Sequence, residues 1–208
     1  MTFEQILAQA RSVRSSLGTD DMPPTVLVER MGRLKAIVSL PLDRQQALDM
    51  VVKTRIGFAA SAMTIAADSY MHTGPKGLES YKHGDMQRLI EAGHGKKRGI
   101  TDAIALSRAE RIDNEAVITF ASNPYRWTSK TIVWSKPMMI RHTDSDTVSG
   151  IWIEALNVAM DAPDVLAAVH EEHPELADDA PDRQTVDQIT AKVLSELGCS
   201  VVLIPEPS

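Results

Sequence analysis

The chain is predicted to be an α+β protein, with an antiparallel or mixed sheet of about five to six strands covered by helices and a helical, acidic C-terminal extension. Three observations predict this. Apolar residues recur at three- and four-residue steps near both ends of the chain, two β-rich runs flank Gly32, and Ala62–Ala67 is almost uninterruptedly apolar.

The first helix is expected from Phe3, Ile6, Leu7, Ala10, Val13 and Leu17 on one face, with Thr2 and Gln5 forming a capping box and Gly18 a stop. Pro23 and Pro24 then break the helical course. Thr25–Arg30 and Leu34–Leu40 read as a hairpin around Met31-Gly32-Arg33. Asp43 and Gln46 open a second helix carrying Ala47, Leu48, Val51, Val52, Ile56 and Ala59. Ala62–Ala67 reads as a buried strand ending at Asp68, followed by a loop over 73–77 and a short helix at Met86–Ala92.

Asp102–Ala109 and Glu115–Ala121 are expected strands, although the alanines of the first would also suit a helix. Lys130–Ser135 is another strand, with Ile132 and Trp134 on one face. Ser149 caps a helix reaching Met160, and Arg183–Leu197 is the last helix, stopped by Gly198. Val201–Ile204 then offers a strand for a sheet edge or for another subunit. The composition shifts after Met160, so the chain divides into a core domain over 1–160 and an acidic linker, helix and edge strand over 161–208.

Composition bounds the function classes. A hydrophobic share of 43% and a charged share of 24% over 208 residues are those of a globular protein with a substantial core. The single cysteine, Cys199, has no internal partner, and the N-terminus lacks the basic start and apolar block of a secretory signal. A cytoplasmic protein without a membrane segment is expected, and residue usage suggests a bacterial or phage source. The net charge of −6 argues against nucleic acid as a partner. Lys82, Arg88, Lys96, Lys97 and Arg98 oppose a carboxylate-rich stretch over 161–187, a polarity suited to protein contacts or self-association.

Motifs for chemistry are sparse. Asp68, expected at a strand end, precedes His72, His83, Asp85 and His94, and these residue types suit general acid–base work or a hard metal ion. Asp68, His72, His83 and Asp85 are therefore the catalytic candidates, and Asp68, His72 and His94 the metal-binding ones, although their spacing matches no ligand motif. His170 and His173 are three apart, whereas the zinc-protease helix needs four. Gly93–Gly99 has the glycines and lysines of a phosphate loop without its spacing. Tyr125, Arg126 and Trp127, after Asn123-Pro124, are the residue types that anchor protein interfaces, here expected in a rigid turn. No cofactor is implied. The sequence therefore points to a non-enzymatic, self-associating interaction or accessory protein, with a metal-dependent hydrolase or nuclease centred on Asp68 as the alternative.

Overall fold

The computed structural model describes residues 2–18, 20–72, 100–112, 115–128, 131–142, 151–162 and 182–205. The expected loop over 73–77, helix over 86–92, basic loop over 93–99, Ser149 cap and acidic linker after 162 lie outside these residues. Among the described residues the elements are α1 (Phe3–Ser16), β1 (Thr25–Arg30), β2 (Arg33–Ser39), α2 (Arg44–Phe58), β3 (Ala62–His72) and β4 (Ile100–Ile112). They continue as β5 (Glu115–Trp127), β6 (Ile132–Trp134), β7 (Met138–His142), α3 (Ile151–Asp161), α4 (Arg183–Glu196) and β8 (Ser200–Leu203).

The fold is α+β with an antiparallel sheet. Strands hydrogen-bond in the order β6-β5-β4-β3-β1-β2-β8, and β7 pairs with β5 off that path. The sheet is thus larger than the five to six strands expected. β7 has no counterpart in the sequence reading, and the C-terminal segment joins as β8 beside β2. The ambiguous Asp102–Ala109 segment is strand. Its alanines at 103, 105 and 109 lie buried within a 13-residue β4, where small side chains allow close packing on the sheet. No described helix is long and apolar enough to cross a membrane.

The chain falls into two compact units, and β3, β4 and β5 contribute residues to both. The first comprises Met1–Met22, Ala66–Leu106 and Ala121–Ile140. Its helix α1 begins with the reciprocal Thr2–Gln5 capping box. Ile6, Leu7 and Ala10 are buried as expected, but the next inward position belongs to Arg14, and Val13 is exposed. Both choices satisfy helical spacing. Arg14 takes the buried place because acceptors for its guanidinium lie there.

The second unit comprises Pro23–Ile65, Ser107–Phe120 and Arg141–Ser208. The β1–β2 hairpin turns at Met31 and Gly32, both at positive φ, as a two-residue turn matching the strand twist requires. Val28 pairs with Ala36 and Glu29 with Leu34, so the register shift leaves Lys35 as the extra residue of a bulge in β2. Asp43 accepts from the Gln46 amide to cap α2, which packs against β1, α3 and α4. Helix α4 crosses α2 so closely that a Cβ on Gly57 would collide with the Thr190 side chain. Arg183 and Thr190 both donate to the Gly57 carbonyl, the latter at 3.1 Å.

Alanine in place of a helical glycine ordinarily stabilises by about 0.5–1 kcal/mol. At Gly57 the sign reverses: Gly57→Ala is expected to destabilise by about 1–3 kcal/mol because Thr190 must move. Urea unfolding of Gly57→Ala, Thr190→Ala and the double variant tests this, the double variant losing less than the sum of the two.

Candidate functional site

The most connected polar cluster of the first unit is built by α1, β3 and β5. The residue at 14 falls on the buried face of α1, Asp68 lies within β3, and Tyr125 lies within β5 on the partner position to Trp134 of β6. Arg14 is only 5% exposed. Its Nε donates to the Tyr125 hydroxyl at 2.9 Å and lies 3.1 Å from Asp68 Oδ2. Its Nη1 donates to the carbonyls of Gly18 at 3.2 Å and Asp20 at 3.0 Å. The Tyr125 hydroxyl in turn donates to Asp68 Oδ1 at 3.1 Å, and the Met22 amide donates to Asp68 Oδ2 at 3.3 Å. Both carboxylate oxygens of Asp68 are therefore occupied.

Aromatic rings frame this network. Tyr125 meets Trp127 edge-on at 6.2 Å between centroids and Trp134 at 5.1 Å. Arg14 stacks 5.0 Å from Trp127, and Arg11 lies 4.9 Å over Trp134. Burial works against the charge on Arg14. The Tyr125 hydrogen bond and the field of Asp68, with Asp102 beyond it, outweigh burial and hold the guanidinium above its usual range. Burial also pushes the Tyr125 phenol well above its ordinary value, with the Asp68 charge adding to it against the pull of Arg14.

Among the described residues, two further ion-pair groups belong to the second unit. Arg108 of β4 grips Glu29 of β1 with two contacts, at 2.6 and 3.1 Å, and donates to Thr64 of β3 and Glu110 at 3.2 Å each. Glu29 lies across from the bulge at Lys35 of β2, where the register of the pair shifts. Arg30 holds Asp187 of α4 through two 3.0 Å bonds, and Arg183 shares the same carboxylate. Cys199 is buried, which pushes its thiol up and keeps it protonated, as expected of a packed small residue.

Asp68 was expected at a strand end; it lies inside the 11-residue β3. The strand runs on because Asp68 meets Arg14, Tyr125 and the Met22 amide in place of free backbone. His72 closes β3, and His83, Asp85 and His94 lie outside the described residues. Tyr125, Arg126 and Trp127 belong to β5, not to a turn after it: Pro124 leaves its carbonyl to accept from Ser135 while pairing with β6 continues. Arg126 and Trp127 are exposed, whereas Tyr125 is buried. Sequence reasoning missed Arg14 and Trp134. The signal for Arg14 was its place four residues after Ala10 on the apolar side of α1. Among the described residues no group of three or more His, Cys, Asp or Glu side chains is arranged to hold a metal ion.

The arrangement binds α1 to the strands and offers no free nucleophile. Removing one member leaves a desolvated charge, so Asp68→Asn is expected to lose about 2–4 kcal/mol of stability in denaturant unfolding. Arg14→Met combined with Asp68→Leu is expected to lose less than the two single changes together. Tyr125 gives a second check. A phenol whose folded value is raised keeps a proton that the unfolded chain releases, so its contribution to stability falls as pH rises above about 10. Up to about pH 11.5, phenolate absorbance should therefore rise equally in wild type and Tyr125→Phe, and alkaline destabilisation should be smaller in the variant.

With this geometry established, comparison of the chain with protein-family models, curated proteins and solved structures finds no match in any of the three.

Proposed function

We propose that the chain is a non-enzymatic, self-associating protein-interaction or accessory protein working in a reducing cytoplasm. The observation that carries this reading is an uncovered apolar row in the second unit. Ile189 and Val193 of α4 are 53% and 46% exposed, and Leu197 follows them at the next four-residue step. Large apolar side chains grouped on one element, rather than scattered singly, mark contact surfaces.

Two further features support it. The best-placed ionisable side chains are engaged with one another: Arg14 with Asp68, Arg108 with Glu29 and Glu110, and Arg30 and Arg183 with Asp187. Asp68, the centre of the metal-dependent alternative, would have to give up Arg14 to take a metal ion. The net charge of −6 favours a protein over a nucleic acid as partner. Exposed Arg126 and Trp127 add a second candidate contact patch in the first unit.

Sedimentation velocity over a hundredfold range of concentration, with elemental analysis of the same sample, tests the reading. An assembly larger than one chain, carrying no stoichiometric metal, is expected. A monomer at every concentration holding about one metal per chain would reverse it in favour of hydrolytic chemistry.

A further inference from the structure

Resting on that reading, we propose that the chain associates with a second copy of itself through antiparallel pairing of the two β8 strands across a twofold axis, with the two α4 apolar rows packed beside them.

Among the described residues β8 stands last in the hydrogen-bonding order, paired on one side with β2. Across that pair the Ile204 amide donates to the Lys35 carbonyl at 2.8 Å. Bonded pairs alternate along an antiparallel ladder, so Val202 turns its backbone groups toward β2. The amides and carbonyls of Val201 and Leu203 then face away from β2. Folded proteins protect such an edge with charge, proline or a bulge, and Ser200-Val201-Val202-Leu203 contains no charged residue and no proline.

Helix α4 leads into β8 through Gly198 and Cys199, and packs against both β8 and α2. Thr190 and the buried Leu194 turn inward, and Ile189, Val193 and Leu197 form a row beside them at four-residue steps. Exposed Lys192 and Glu196 flank that row. A twofold axis normal to the sheet makes both the β8 pair and the α4 pair antiparallel. Placed level with Leu194, it sets Lys192 opposite Glu196 of the second copy, and does so twice by symmetry. The apolar rows then interleave, with Val193 between Val193 and Leu197 of the second copy.

This self-complementarity selects the occupant. A twofold contact requires one surface to match itself, and an uncharged strand edge beside a Lys–Glu row does. A peptide of another protein would use the edge without needing the charge symmetry.

Sedimentation equilibrium of the full chain tests the proposal with wild type, Val201→Pro, Lys192→Glu, Glu196→Lys and the double charge exchange, circular dichroism confirming that each folds. Proline at 201 removes an outward amide and leaves the bonds of Val202 to β2 in place. Wild type is expected at twice the chain mass and Val201→Pro at one. Each single charge change should weaken association about tenfold, and the double exchange should restore it. If Val201→Pro fails to fold, the charge series decides by the same restoration. An assembly indifferent to all of these changes overturns the edge-to-edge geometry and leaves self-association standing. A wild-type monomer at every concentration overturns both.

Discussion

A guanidinium can leave water only where its donors find acceptors, and this requirement sets how helices meet strands in each unit. In the first, Arg14 is buried with four acceptors: the Tyr125 hydroxyl, the Asp68 carboxylate and the carbonyls of Gly18 and Asp20. The last two exist as acceptors because the chain folds back directly after α1. Gly18, at φ +63°, takes the left-handed conformation that this return requires. The helix stop and the buried charge are one device. In the second unit Arg30 plays the corresponding part, reaching the Phe58 carbonyl at the end of α2 and Asp187 on α4. Arg183 and Thr190 converge on Gly57 one residue earlier. Two direct bonds to Gly57 and the Arg30 bridge thus fix the α2–α4 crossing, and the missing side chain at 57 makes room for it.

Much of the fold was legible because its signals are local. The Thr2–Gln5 box, the Asp43 cap, the Met31-Gly32 turn and the positive-φ Gly198 each act over two to four residues. Such signals give the same answer in the isolated sequence as in the folded chain. The edge position of the last strand was also legible as a possibility, since an apolar run after a helix stop has few places to go.

The candidate site was less legible because its partners are distant in sequence. Arg14 and Tyr125 are separated by 111 positions. On α1 both Val13 and Arg14 satisfy the spacing from Ala10, and hydrophobicity alone chooses Val13; the choice falls the other way because acceptors wait at 68 and 125. The same tertiary contact explains Asp68, which in isolation resembles a strand-terminating residue and in the fold is held within β3 by three donors. Asn123-Pro124 misleads similarly. Proline removes one amide from a ladder, but its carbonyl still accepts from Ser135, and β5 passes through.

The distribution of satisfied polar groups bears on function as directly as any motif. In the second unit, the inward side of α4 is occupied by Arg183, Asp187, Thr190 and Leu194, whose contacts to α2 and β1 account for them. The adjacent row of Ile189, Val193 and Leu197 has no such account within the described residues, and burying its apolar surface would be favourable at roughly 25 cal/mol per Å². The edge of β8 carries the same imbalance in its backbone, with amide and carbonyl groups turned away from β2. Water can bond such backbone groups, whereas an apolar row gains only from burial. The proposed assembly would account for the row and the edge together.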